Sequence, residues 1–213
     1  MAIAEYLPAF GIGYLLGSIP FGLILAAMLG KGDLRKIGSG NIGATNAVRA
    51  GGKGLGAVVL LLDAAKGAAA VLIAREFLGA GSMPLGNEIF AATGALIGHL
   101  YPVWLKFRGG KGVATFFGIL IAILPMAALI AAIVWGVLFA FTRISALGGL
   151  GAAISAPISA WFFGAQPLFP MLLGFSLLIV WKHRDNIRRI VAGEENIFSR
   201  PDKPSELSDP GPH

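Results

Sequence analysis

Glycines, short polar side chains and cations occur together in "GSGNIGATNAVRAGGKG", residues 38–54, and again in "KFRGGKG", residues 106–112. Backbone N–H groups exposed by glycine turns, with arginine or lysine beside them, are a common way to hold a phosphate. In the first stretch Gly38, Ser39, Gly40 and Asn41 can present consecutive N–H groups, and Ser39 or Asn41 can cap the helix that follows. A helix over 41–49 puts Asn41, Thr45 and Arg49 on one face, with Asn46 three residues before Arg49. That face is a strip of hydrogen-bond donors ending in a guanidinium, which can grip an oxyanion through two parallel bonds.

The second stretch repeats the device. Gly109 and Gly110 precede Lys111, and an apolar helix begins after Gly112. It is no Walker A loop, because the first glycine is missing and Gly112 stands where the hydroxyl residue belongs, so ATP is not implied. Arg143 and Ser145 in "TRISALGG" form a weaker third cluster, which a basic flank and a helix cap explain equally well. In "WKHRDNIRRIVAGEE", residues 181–195, His183 and Asn186 share a helix face while Arg184 and Arg188 pair on another. His99 in "GHLYP" reads equally as a hydrogen-bonded structural residue or a catalytic one. Neither His99 nor His183 opens an H-x-x-x-x-D pattern, since Trp104 and Arg188 fill the fifth places, and no G-x-S-x-G elbow occurs. There is no cysteine, and no cluster of carboxylates or histidines at metal-ligand spacing. No cofactor and no metal are expected. A site of this make-up works by positioning and electrostatic stabilisation.

The elements that must position these residues are read from apolar runs. The chain has 213 residues, of which 56% are hydrophobic and 13% charged. Such a composition excludes most soluble classes and predicts an all-α integral membrane protein. The net charge of +6 comes from cations at the ends of apolar segments, which fits membrane topology and anionic ligands better than nucleic acid. Apolar segments fall at about 5–29, 55–78, 86–105, 113–141, 145–163 and 167–181, the first read as a retained span. The fourth would be roughly 43 Å long as one helix, against a hydrocarbon core of about 30 Å, and Pro125 lies near its middle. Lys111 and Arg143 can share a cytoplasmic side only if the chain crosses twice between them. The expectation is therefore seven transmembrane helices, N-terminus outside and C-terminus cytoplasmic. Residues 1–198 are expected to form one membrane domain, followed by a disordered cytoplasmic tail over 199–213. Asp63 and Lys66, inside the second span, share a helix face and predict an ion pair between helices or a direct substrate role. Arg75, beside Glu76 at the outer end, is expected to snorkel.

Three blocks, "GSIPFGLILAAMLGKGDLRKIGSGNIGATNAVR", "GHLYPVWLKFRGGKGVAT" and "KHRDNIRRIVAGEE", resemble in order and spacing the bacterial membrane glycerol-3-phosphate acyltransferases that use acyl phosphate, the PlsY family. The resemblance runs from about residue 10 to 195, with Tyr101 where the family would have phenylalanine. It implies transfer of a fatty acyl group from acyl phosphate to glycerol 3-phosphate, giving lysophosphatidic acid and phosphate, in phospholipid synthesis at the cytoplasmic face of the bacterial inner membrane. It also implies Ser39, Arg49, Lys111, His183 and Asn186 as the catalytic set, with Asn41, Thr45, Asn46 and Ser145 beside them. Arg49, Lys111, Ser145, His183 and Asn186 would hold the glycerol 3-phosphate phosphate, with His183 donating a hydrogen bond, and the "GSGN" turn would hold the acyl-phosphate head. Gly109, Gly110, Gly112 and Arg143 complete the expected binding residues. The family mechanism is substrate-assisted, a substrate phosphate oxygen taking the hydroxyl proton. The expected partners are these two substrates and the bilayer, without an obligatory protein partner. A transporter or flippase for a phosphorylated metabolite would spread polar residues through the membrane's depth. A lipid-binding scaffold would not need Ser39, Asn41, Thr45 and Asn46 beside Arg49.

Overall fold

The computed structural model describes residues 3–79, 81–195 and 197–198, so the expected tail over 199–213 lies outside the described residues. Among these, the regular elements are all helical: α1 Leu7–Gly17, α2 Phe21–Met28, α3 Ala44–Phe77, α4 Gly86–Leu100, α5 Val113–Ile123, α6 Pro125–Thr142, α7 Ser145–Phe162, α8 Phe169–Lys182 and α9 Arg184–Val191, with short 3-10 turns between some of them. Four stretches, Ile3–Met28, Ala44–Phe77, Pro125–Thr142 and Ser145–Phe162, are long and apolar enough to cross a membrane, and Val113–Ile123 and Gln166–Lys182 are shorter apolar helices. Leu129, Phe141 and Leu177 stand on the outside of the bundle, 53%, 86% and 63% exposed, as a lipid-facing surface requires.

The 113–141 segment divides at Leu124, which leaves the helical region (φ −150°, ψ 75°) directly before Pro125. Proline's Cδ crowds the preceding residue out of the α region, so the break belongs there. Arg75 does more than snorkel. Its Nη2 donates to the Ala122 carbonyl at 2.9 Å, which caps the open end of α5, and its Nε lies 3.5 Å from Glu88.

The first span is interrupted, and one expectation is corrected. The 5–29 segment is broken at Ser18–Pro20, where Pro20 lacks an N–H and takes φ −90°, ψ 70°. The freed carbonyls find partners elsewhere: Trp104 Nε1 donates to Ser18 O and Lys66 Nζ to Ile19 O, each at 2.8 Å. The helix expected over 41–49 begins only at Ala44, and it continues through a kink at Gly52 (φ 83°) into α3, so Asn41 lies outside it.

Small residues let the helices approach closely. On α1, Gly13 and Gly17 face Ala91 and Ala95; on α4, Gly94 and Gly98 face the carbonyls of Phe10 and Tyr14. Both sets of numbers rise together, so α1 and α4 run parallel. Where α3 crosses α5, a Cβ on Gly118 would lie 1.8 Å from the Ala64 carbonyl oxygen and one on Gly67 2.3 Å from that of Thr115. Leu96, Phe116, Ile119, Leu172, Phe175 and Ile179 fill the centre between α4, α5 and α8.

At one end of the bundle the chain around Tyr6 meets the segment before α4, with the Met83 N–H donating to Tyr6 Oη at 2.7 Å. At the other end the loops after α2, α4, α6 and α8 come together. Gly118→Ala should cost at least about 1–3 kcal/mol, because the opposing backbone cannot yield, whereas Gly174→Ala, with nothing within 4 Å, should leave stability unchanged or raised. Thermal unfolding of both variants in detergent checks the contrast.

Candidate active site

Asn46 builds the first loop. It is 1% exposed, and its Nδ2 lies 2.8, 2.9 and 2.8 Å from the carbonyl oxygens of Leu34, Ile37 and Asn41. Its Oδ1 accepts the Ser39 N–H at 3.2 Å. The amide is fully used in folding the turn, so Asn46 positions Ser39 and is not free to hold a ligand as the donor strip supposed. Asn41 Oδ1 accepts the Gly43 N–H at 2.8 Å, which caps the approach to α3. Gly38 has φ 51°, and a Cβ there would lie 2.6 Å from Asn46 Oδ1 and 3.1 Å from Arg49 Cδ. Both conformation and space demand glycine.

The second loop folds back beneath α4. Gly109 and Gly110 donate to the carbonyls of Leu100 (3.2 Å) and His99 (3.0 Å), and Gly110 packs on the His99 ring. Lys111 Nζ donates to Asn186 Oδ1. Asn186 Nδ2 in turn donates to Glu195 Oε1 at 3.0 Å, and Arg189 Nε to Glu195 Oε2 at 3.0 Å. This run of cation, amide, carboxylate and cation orders the α9 segment against the glycine loop. No sequence pattern marks Glu195, since a charged residue after a basic helix carries no signal of its own.

Ser39, Asn41, Thr45, Asn46, Arg49, Lys111, Gly112, Ser145, His183 and Asn186 line one cavity of about 380 Å³. Gly38, Gly40, Gly109, Gly110 and Arg143 are not among its lining residues. Gly109 and Gly110 turn toward α4 instead. The Arg143 side chain is exposed, and its carbonyl accepts the Phe198 N–H at 3.0 Å. Thr45 Oγ1 and Ser145 Oγ are hydrogen-bonded at 3.0 Å, joining α3 to α7 at the mouth. Arg49 remains exposed, its guanidinium 5.6 Å from the centre of the Phe198 ring. Leu60, Leu61, Phe117, Ala132 and Trp135 form an apolar wall, while Asp63 and His99, left open between structural and functional readings, also line the cavity. The space is thus polar and cationic on one side and hydrocarbon-like on the other.

Lys111 is held to a pKa of about 8, by burial first and then by the like charges of Arg189 and Arg49, against the pull of Glu195 and Asp185. Burial pushes the His183 pKa down to about 4, and Lys111 adds to this against the opposing hydrogen bond to Ile179. His183 Nδ1 lies 2.8 Å from the Ile179 carbonyl, which can only accept, so the proton sits on Nδ1. Near neutral pH the ring is neutral and presents the bare lone pair of Nε2. The expectation that His183 donates to a phosphate is corrected: the ring accepts, as from a hydroxyl. Among the described residues no group of three His, Asp or Glu side chains is arranged to hold a metal ion.

The family model described as glycerol-3-phosphate acyltransferase matches residues 7–193. A glycerol-3-phosphate acyltransferase of Rhodopseudomonas palustris (strain BisB5) is 52% identical over 194 residues, 91% of this chain and 96% of that protein. One from Agrobacterium fabrum (strain C58) is 49% identical over 185 residues, 87% of this chain and 88% of that protein. The crystal structure of PlsY (YgiH), an integral membrane glycerol 3-phosphate acyltransferase, in its glycerol 3-phosphate form is similar with a TM-score of 0.83 at 38% identity, over 91% of this chain and 96% of that chain. Its lysophosphatidic acid form gives 0.81 at 38% identity, over 91% and 95%.

Lys111 is charged below its pKa and neutral above it. Binding of sulfate, whose charge is constant in this range, should weaken as pH rises through about 8, towards tenfold per pH unit. Lys111→Arg should remove that fall, because a guanidinium stays charged. Calorimetric titration of the purified protein between pH 7 and 9.5 reads both, and an unchanged fall in the variant would assign the titration to another group.

Proposed function

The chain belongs to the glycerol-3-phosphate acyltransferase family, and from that premise we propose that it transfers a fatty acyl group from acyl phosphate to glycerol 3-phosphate, producing 1-acyl-glycerol 3-phosphate and phosphate. It is a multi-pass membrane enzyme of phospholipid synthesis. The observation that carries the reading is the divided cavity, with Arg49 and Lys111 on its polar side and Leu60, Leu61, Phe117 and Trp135 on its apolar side. A substrate with a phosphorylated head and a long hydrocarbon chain fits both. A transporter would need a polar path through the depth of the bundle, whereas among the described residues the polar lining extends inward through Asp63 and His99.

Each site residue then has a role. Arg49 and Lys111 hold the glycerol 3-phosphate phosphate, and Thr45 and Ser145 supply hydroxyls beside them. The turn at Ser39, Gly40 and Asn41, braced by Asn46, holds the head of the acyl phosphate. Asn186, fixed by Glu195, sets the position of Lys111. His183 Nε2 accepts a hydrogen bond from the attacking hydroxyl. With a pKa of about 4 the ring is too weak a base to keep that proton. The new ester C–O bond forms as the acyl C–O bond to phosphate breaks, and the hydroxyl proton ends on the departing phosphate.

For topology, the proposal is seven crossings, N-terminus outside and C-terminus cytoplasmic in the bacterial inner membrane. Residues 1–198 are the acyltransferase domain and 199–213 a cytoplasmic tail. The parallel course of α1 and α4, the break at Leu124, and the gathering of basic loops at the cavity's end support it. Met126→Cys and Gln166→Cys should react with an impermeant thiol reagent in intact cells, whereas Arg108→Cys should react only after lysis. The opposite pattern would reverse the orientation.

Purified protein given glycerol 3-phosphate should form product with acyl phosphate and not with acyl-CoA or acyl carrier protein. Arg49→Lys keeps the charge and loses the two-pronged grip, so kcat/KM should fall by about 10- to 150-fold. Arg184→Lys, on the exposed face of α9, should match the parent enzyme. Equal rates in all three proteins would remove Arg49 from the site.

A further inference from the structure

Past α9 the chain turns back towards the mouth of the cavity. Gly193 ends the helix in the left-handed region (φ 73°), and the Glu194 N–H returns to the Arg189 carbonyl at 2.7 Å. Glu195 is then bound by Asn186 and Arg189. Three residues on, the Phe198 N–H donates at 3.0 Å to the carbonyl of Arg143, the residue that closes α6. The Phe198 ring meets Phe139 edge-on, with centres 5.8 Å apart and planes at 72°. Phe139 in turn stacks on Trp135, one turn earlier on α6, at 4.9 Å. Trp135 belongs to the apolar wall of the cavity and packs on Gly148 of α7. A row of three aromatic rings thus runs from that wall to the mouth, and it ends beneath Arg49, whose Cζ lies over the Phe198 ring. The family match stops at residue 193, short of Phe198.

We propose that Phe198 is the positioning residue of Arg49, its ring holding the guanidinium where the anion is received, a proposal that rests on Arg49 gripping phosphate in the acyltransferase reading. Arg49 is exposed, and an exposed arginine has many rotamers to lose before it can grip anything. A carboxylate would fix it but would also occupy its N–H groups and offset its charge. An aromatic ring attracts the cation through its quadrupole within about 6 Å of the ring centre. It contributes no lone pair and no charge, so the two-pronged edge of the guanidinium stays available to an oxyanion. The nearby carboxylate does not compete, because Glu195 gives its oxygens to Asn186 and Arg189. The ring is itself held in place, by the Arg143 carbonyl at its backbone and by Phe139 at its side. Both supports come from α6, the helix that carries Trp135. One helix therefore fixes the hydrocarbon side of the cavity and the anion-gripping group relative to each other.

Calorimetric titration of the purified protein with sulfate at pH 7 separates the grip from the chemistry. Phe198→Leu keeps apolar bulk and the backbone N–H but loses the ring. Its dissociation constant for sulfate should rise by about 2- to 30-fold, the range for one cation–π contact. Phe198→Tyr keeps the ring face and should match the parent protein. In Arg49→Gln there is no cation for the ring to hold, so adding Phe198→Leu should change nothing further. With a fixed acyl phosphate, kcat/KM for glycerol 3-phosphate should follow the same order in the same proteins. A side chain that only fills space would tolerate leucine, or would show the same loss with and without Arg49, and either result overturns the proposal. A dissociation constant does not depend on the folded fraction, so partial unfolding cannot imitate the effect. If sulfate binding follows the ring while no protein forms product with any acyl donor, the acyltransferase reading fails and the positioning role stands.

Discussion

Backbone groups freed inside an apolar helix bundle must be paired within the protein, since the surrounding hydrocarbon offers no partner. Most of this architecture answers that demand. At about 1.5 Å per residue, the 15 residues of α4 and 11 of α5 measure roughly 22 and 16 Å, well short of a core of about 30 Å. The chain between them therefore turns below the surface, and its polar groups are matched one by one. Gly109 and Gly110 return to the last carbonyls of α4, and Lys182 Nζ reaches the Leu100 carbonyl at 3.1 Å while lying 4.5 Å from the centre of the Tyr101 ring. The break between α1 and α2 is closed in the same way by Trp104 and Lys66, and the open end of α5 by Arg75. Irregular backbone at depth is tolerated where it lines a cavity, and here it makes one.

The same depth sets the electrostatics of the site. Lys111 and His183 are drawn out of water, so their charged forms lose solvation, and the neighbouring cations add to the effect. An anion that enters between Arg49 and Lys111 supplies the counter-charge the site lacks, in a medium that screens poorly. Glu195 tempers this without neutralising it. Its two oxygens are taken by Asn186 and Arg189, so it braces the α9 segment. Arg49 stays exposed at the mouth and Lys111 lies further in, so the permanently charged group is the one that faces solvent.

Much of the helical framework was legible in the sequence, because apolar length, Pro125 and the placement of cations are local or additive signals. The split at Leu124 follows from one proline and one distance argument. The Ser18–Pro20 break was missed although proline marks it, because what permits the break is distant: Trp104 and Lys66 must already be at hand. In the site, residue types were readable and hydrogen-bond assignments were not. Asn46 looked like one more donor in a strip, yet three carbonyls from two separate turns consume its amide. Asn41 fell outside the helix assumed for it, since Gly43 and not Asn41 precedes the first helical residue. The His183 tautomer depends on where the Ile179 carbonyl points, and no spacing rule supplies that. Gly109 and Gly110 were read as phosphate contacts and proved to be the seat of the loop. Their smallness is needed on the α4 side.

A histidine–carboxylate pair assembled by the fold lies beyond any local motif. No histidine in the chain has an aspartate five residues on, and on that ground a paired acid and base looked absent. The fold nevertheless sets Asp63 of α3 beside His99 of α4, 36 positions apart, at the edge of the same cavity as Lys111. This pair is not arranged for base catalysis. Its carboxylate is already committed to the ion pair with Lys66. Asp63 Oδ1 and His99 Nδ1 lie 3.8 Å apart, both enclosed and with no hydrogen bond between them. The His183 imidazole, held near pKa 4, is likewise a weak base. The site can therefore be built from groups that hold and orient, and a membrane interior, which penalises any change of net charge, favours that division.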